Sequence, residues 1–115
     1  MSLIQISKTG EQTPVTIFEL HGRINLGNYK ELEQAAQDEF DKGMRNLVLD
    51  FTDVDSLTSI GIRTLTAIHK MLVKNGEGKL KLAGVISPIR SMLEIAGVAQ
   101  FLDMRETTAD AIAAF

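Results

Sequence analysis

The 115-residue chain has no cysteine and no tryptophan, and only one tyrosine and two prolines. Without cysteine it can form no disulfide, no thiolate nucleophile and no Cys-ligated zinc, and the lack fits the reducing cytoplasm, which is the expected location. Scarce aromatics leave the core to Leu, Ile, Val, Ala, Met and five Phe. No apolar run approaches the ~20 residues of a membrane span. The N-terminus is polar beyond Leu3 and Ile4 and shows no leader pattern, so direct membrane insertion is not expected. A dominant charge is also lacking. Fifteen acids against twelve Lys and Arg give a net charge of −3, which supplies no electrostatic reason to bind nucleic acid. Lys70, Lys74, Lys79 and Lys81 cluster, but Glu77 interrupts them and they read as solvated faces.

What is present is a 44% hydrophobic composition, enough for a real core, in a length that suits one domain spanning residues 1–115. Strand and helix patterns alternate along it. Leu3–Ser7 and Val15–His21 read as strands, with turn residues from Gly10 to Pro14 between them, hence an antiparallel hairpin. Val15 and Ile17 share one face of the second strand and Phe18 and Leu20 the other, so this strand is expected to be central. A helix then carries Tyr29, Leu32, Ala36 and Phe40 at helical spacing. Asn28 and Glu31 have capping-box spacing at its start, and Lys42-Gly43 stops it.

Asn46–Phe51 contains the apolar run Leu47-Val48-Leu49 and reads as a buried parallel strand. A loop is expected from Thr52 to Thr58, then a helix from Ser59 with Ile62, Leu65, Ile68 or His69, and Leu72 inward, ended by Gly76 and Gly78. Lys79–Ala83 alternates as a strand. Ser87-Pro88 reads as N-cap and first helical residue, followed by an inner face of Ile89, Met92, Leu93 and Ala96 and a stop at Gly97. A short strand over Phe101–Met104 and a helix over Thr107–Phe115 complete the chain. The expected fold is therefore α/β, a mixed sheet of four to five strands with about four helices, in the order β-β-α-β-α-β-α-(β)-α.

Catalytic chemistry finds little support. His21 and His69 are the only histidines, and their spacing is not that of metal ligands. His69 lies ten residues along the same helix from Ser59, too far to act on its hydroxyl. There is no phosphate-binding P-loop and no GxGxxG after a strand. Gly22 to Gly27 asks only for turn chemistry. Asp50, Asp53 and Asp55 face no second acid cluster, so a two-carboxylate site is not built. No enzyme activity, cofactor or metal is expected.

The corner Ser56-Leu57-Thr58-Ser59-Ile60-Gly61 stands apart, with three hydroxyls at a junction leading into a helix. Unpaired N–H groups and a partial positive charge at a helix start favour a capping hydroxyl, and equally a phosphate carrying about −1.5 to −2 charge. Simple capping explains the hydroxyls by themselves. Gly61 leaves room for a partner backbone, and Ile60 and Ile62 cannot both turn inward on one helix face.

The stretch from Leu47 to Ile62 resembles the signature of STAS domains, in particular bacterial anti-sigma factor antagonists: an apolar strand, then Asp50-Phe51-Thr52-Asp53-Val54, then a segment ending in Ser59-Ile60-Gly61-Ile62. Leu20-His21-Gly22-Arg23-Ile24-Asn25 is similar to the family's Leu-x-Gly-x-Leu-Asp, and Leu82 to Leu93, with Ser87-Pro88, to its strand followed by Ser-Pro. The resemblance runs over nearly the whole chain and implies a single STAS domain over residues 1–115. It implies a partner-switching role: the unphosphorylated protein binds an anti-sigma factor that is also a serine kinase, phosphorylation of the switch serine blocks that binding, and a phosphatase restores it. Ser59 matches the switch serine, with Thr58 the alternative acceptor, and Asn25, Thr58, Ser59, Ile60, Gly61 and Ile62 make up the implied partner-binding surface. Three residues depart from the pattern. Thr58 and Asn25 stand where the family has Asp, and Ile60 where it has a small hydroxyl residue. The first two remove negative charge that a kinase would read.

Two other readings compete. A STAS scaffold or accessory subunit, of a stress-sensing assembly or a lipid-transport ABC complex, would use the corner without phosphate. A phospho-receiver domain would need an acidic pair after the first strand and a lysine late in the sheet to organise Mg²⁺. Ile4-Gln5-Ile6-Ser7 and Lys79-Leu80-Lys81-Leu82-Ala83 do not supply that arrangement.

Overall fold

The computed structural model describes residues 3–9, 13–74, 76 and 78–115. Its elements are β1 (Ile4–Thr9), β2 (Val15–Ile24), α1 (Tyr29–Asp41), β3 (Asn46–Leu57), α2 (Ser59–Val73), β4 (Lys79–Ala83), α3 (Ser87–Ile95), β5 (Asp103–Arg105) and α4 (Thr108–Ala113). The five strands lie in sequence order, β1-β2-β3-β4-β5. β1 pairs antiparallel with β2, and the remaining pairs are parallel. This is the mixed sheet expected, and β2 is indeed internal. Of the turn expected from Gly10 to Pro14, residues 10–12 lie outside the described residues.

Alternation along the strands divides the apolar residues between two faces. One face carries the main core, where Phe18, Leu20, Leu47, Leu49 and Leu82 meet Leu32 and Ala36 of α1, Leu65, Ile68 and Leu72 of α2, and Ile89 and Leu93 of α3. The other face is smaller: Val15, Ile17, Val48 and Ala83 are covered by Ala111 of α4, with Ile112 and Phe115 beside it. On α2 it is Ile68 that is buried, and His69 only half so.

Several boundaries differ from expectation for identifiable reasons. The segment Thr52–Thr58 is not a loop, because β3 continues to Leu57. Phe51, Val54 and Leu57 are buried three residues apart, where a regular strand would bury every second residue. Two register shifts against β2 explain the spacing, because each gives β3 one extra residue. At the first, the Asp50 carboxylate accepts from the Thr52 N–H at 2.9 Å and the Thr52 hydroxyl at 2.6 Å, folding the chain locally. Gly22 sits opposite this irregular stretch with φ +89°, a conformation other residues rarely adopt.

Asn28 occupies the N-cap position of α1, but the capping box with Glu31 does not form. Its side chain accepts from the Asn25 N–H at 2.9 Å and donates to the Arg23 carbonyl at 2.5 Å instead. The N-cap of α3 is Ile86, whose carbonyl accepts from the Arg90 N–H at 2.9 Å, so Ser87 and Pro88 are the first two helical residues. α2 ends at Val73, three residues before Gly76. β5 begins at Asp103 instead of Phe101, in register with Lys81–Ala83. α4 spans Thr108–Ala113 within the expected helix, and Thr107 caps it: its hydroxyl accepts from the Asp110 N–H at 3.0 Å.

Candidate functional site

The corner is a strand-to-helix junction at the ends of β2 and β3. Ile24 opposite Leu57 is the last rung of their ladder. Immediately beyond it the Thr58 N–H and the Thr58 hydroxyl both donate to the Ile24 carbonyl, at 3.0 and 3.2 Å. Thr58 is thus the N-cap of α2 by backbone (φ −94°, ψ 172°), yet its hydroxyl points back to β2 and does not cap the helix. The helix starts when the Ile62 N–H donates to the Thr58 carbonyl at 3.1 Å.

Ser59 is the first residue of α2 and is exposed. Its hydroxyl has no hydrogen-bond partner among the described residues. Ile60 is half-buried, as is Ile62, which packs against the main core. Gly61 is buried, and the reason is packing, contrary to the expectation that it leaves room for a partner. A Cβ there would clash with Leu57 Cδ1 and stand 3.0 Å from Ile24 Cγ2 and 3.3 Å from the Ile24 carbonyl. A residue with a side chain would push α2 off the strand ends.

Asn25 is half-buried beside the same strand ends and is spent on the β2–α1 turn. Its side-chain oxygen accepts from the Gly27 N–H at 2.8 Å, and its carbonyl accepts from the Tyr29 N–H at 2.9 Å. The structure therefore brings Asn25, Thr58, Ser59 and Gly61 together around Ile24. Asn25 and Thr58 shape the corner, Gly61 seats it, and Ser59 is left open to solvent. Leu26, 77% exposed, stands on the turn next to Asn25.

Sequence reasoning missed a groove that begins one turn into α2. Ile62 and Ala67 of α2 and Ala96 and Val98 after α3 give it an apolar lining, and Arg63 and Lys70 add two cations, around a cavity of about 340 Å³. The stripe Ser59, Arg63, Thr66, Lys70 recurs at helical spacing and could have revealed its α2 wall. Its other wall comes from residues about thirty positions later and leaves no local signal.

The histidines sit elsewhere. His21 Nδ1 lies 3.2 Å from Asp53 Oδ2. The His69 ring stacks at a tilt on Phe101, 5.0 Å between centroids, and burial holds its imidazole below the ordinary value. Ten residues of α2 separate it from Ser59, roughly 15 Å at the helical rise. Among the described residues no group of three or more His, Cys, Asp or Glu could hold a metal ion, and no helix is long and apolar enough to cross a membrane. The corner thus presents the exposed Ser59 hydroxyl at the start of α2, beside the exposed Leu26.

Comparison with known proteins places the chain in a family. The chain is 31% identical over 96 residues to BtrV of Bordetella bronchiseptica, a protein named as an anti-sigma factor antagonist, covering 84% of this chain and 82% of that one. Its fold is similar to the crystal structure of an anti-sigma factor antagonist from Mycobacterium paratuberculosis (TM-score 0.81, 22% identity, covering 96% of this chain and 92% of that one). It is also similar to the Bacillus cell fate determinant SpoIIAA in its phosphorylated form (TM-score 0.73, 13% identity, 96% and 97% covered). The model of the STAS domain matches residues 7–111, and the chain belongs to the STAS domain family.

Proposed function

We propose that this chain is an anti-sigma factor antagonist, a non-catalytic switch whose unphosphorylated form binds an anti-sigma factor and so releases a sigma factor. Residues 1–115 act as one domain, in the cytoplasm where transcription is controlled. The binding surface is the corner built from Asn25, Thr58, Ser59, Ile60, Gly61 and Ile62. Gly61 contributes by letting α2 sit against Ile24 and Leu57, not by direct contact. The anti-sigma factor carries serine kinase activity, its phosphate goes to Ser59, and a phosphatase removes it.

The observation that carries this reading is the difference between two adjacent hydroxyls. Thr58 donates to the Ile24 carbonyl and is half-buried, whereas Ser59 is exposed and unpartnered among the described residues. A kinase needs a free hydroxyl, so Ser59 is the acceptor over Thr58. A phosphate there gains the favourable end of the α2 dipole and presents new negative charge to any docked partner. The relatives named as antagonists, and the fold shared with a phosphorylated protein, support the same reading.

The test is to incubate the protein with ATP and an anti-sigma kinase from the same organism and to locate phosphate by mass spectrometry. Phosphate on Ser59, with loss of binding, is expected. Stable binding with no phosphate, together with unchanged binding by Ser59→Asp, would sink the reading and favour a scaffold role.

A further inference from the structure

The face of α2 that begins at Ser59 continues into the groove as Arg63, Thr66 and Lys70, each about one turn beyond the last. Arg63 and Lys70 have no ion-pair partner among the described residues, and none of the groove's lining residues is acidic. The lining between them is apolar. Ile95, the residue before the lining Ala96, is 88% exposed, although it is among the largest apolar side chains in the protein. Asn25, Thr58, Ser59 and Ile60, at the corner before the groove's first lining residue Ile62, are all uncharged. The surface is thus apolar at its centre and positive at its edges, on a protein whose net charge is −3.

We propose that this groove docks an acidic amphipathic helix of the anti-sigma factor. The helix places apolar side chains against Ile62, Val98 and Ile95 and carboxylates against Arg63 and Lys70. The occupant's charge follows from complementarity: two exposed cations without ion-pair partners among the described residues, beside an apolar floor, repel a basic helix and leave a neutral one unmatched. The inference rests on the proposed function and extends it to a physical account of the switch. A phosphate on Ser59 adds about −1.5 to −2 charge one turn from Arg63, where a Ser59–Arg63 pair at i, i+4 draws the guanidinium away from the groove. The same charge repels the acidic helix. Modification at the corner therefore weakens docking along the groove without any change of fold.

The test uses the anti-sigma factor that the wild-type chain binds, titrated calorimetrically. Arg63→Glu combined with Lys70→Glu is expected to weaken binding a hundredfold or more, and Ile95→Ser about tenfold. Arg63→Lys retains most of the affinity, and Lys30→Glu on α1 leaves it unchanged. All of these positions are exposed, so melting curves should overlay and a folding defect would be visible as such. A carbodiimide, which joins amines to carboxylates without a spacer, should link Lys70 to an Asp or Glu of the factor. Affinity within twofold of wild type for both the double variant and Ile95→Ser, while Ser59→Asp still blocks binding, overturns the groove and leaves the function standing. No binding by the wild-type chain removes both. A concentration-dependent dimer that the double variant abolishes reassigns the groove to a second copy of this chain and also overturns the proposal.

Discussion

Two polar clusters at different places on the sheet use their groups in opposite ways. Beside α4, Lys81 is only 5% exposed, and its ammonium meets Asp103 Oδ2 at 2.5 Å while lying 5.0 Å from the centre of the Phe115 ring. Arg105 closes on the other carboxylate oxygen at 2.8 Å. Every charge there is answered. At the ends of β2 and β3, Asn25, Asn28 and Thr58 are likewise committed, to the β2–α1 turn and to Ile24. The exposed Ser59 hydroxyl has no partner among the described residues. The contrast teaches that polarity alone does not mark a site. A site needs a group that its neighbours position and leave accessible, which is the property the proposed function draws on at Ser59.

The largest effect should come from the residue that seats the corner. Gly61→Val places a branched side chain against Leu57 and Ile24. Overpacking at a buried contact costs about 1–3 kcal/mol, and a β-branched residue against backbone belongs at the upper end, about 3 kcal/mol. Urea denaturation should show the loss. A variant of unchanged stability would mean that α2 is free to move off the strands, and that the corner is less firmly built than the cluster beside α4.

The next effect tests that cluster. Asp103→Asn keeps a hydrogen-bond acceptor but leaves the buried Lys81 without a counter-charge. Hydrogen bonds to charged groups contribute about 1.5–3 kcal/mol, and Asp103 is partly exposed, so about 2 kcal/mol is expected. The cluster also sets a pH dependence. The hydrogen bond from Arg105, followed by that from Lys81, holds the Asp103 carboxyl below its ordinary value, against the opposing pull of burial. A depressed carboxylate contributes stability that is present above its unfolded value of about 4 and is lost as pH falls through the folded one. Wild type should therefore lose stability below about pH 4 more steeply than Asp103→Asn, as read from thermal melts across that range. Parallel curves would show that the pair is solvated and the cluster not committed.

Much of this was legible in the sequence. The helical spacing of Leu32 and Ala36, the apolar run Leu47-Val48-Leu49 and the hairpin before them specify the element order, because each reflects a local periodicity. The far half of β3 was not legible, since two inserted residues turn its buried period from two to three and its Asp and Thr residues imitate a loop. Glycine at position 61 could be read as a motif residue, but its cause lies in Leu57 and Ile24, and only the packing reveals that it faces inward. The choice between Thr58 and Ser59 was not legible either. Both are hydroxyl residues before a helix, and what separates them is a carbonyl 34 residues away.

That choice gives the smallest change in stability and the sharpest test of the contrast. Thr58→Val keeps the shape and the N–H bond to Ile24 while deleting the hydroxyl bond, so it should cost about 1 kcal/mol. Ser59→Ala removes a group that pairs with nothing described, at an exposed helix start, and should stay within ~0.5 kcal/mol of wild type. Under the proposed function, phosphate incorporation by an anti-sigma kinase should move the other way, retained in Thr58→Val and lost in Ser59→Ala. Intact-mass measurement after ATP treatment, run on the same samples as the denaturation curves, checks both halves. If Ser59→Ala were the more destabilising and Thr58→Val the one that lost phosphate, Ser59 would be the committed hydroxyl and Thr58 the exposed one. The corner would then be organised in reverse, with the switch residue one position earlier.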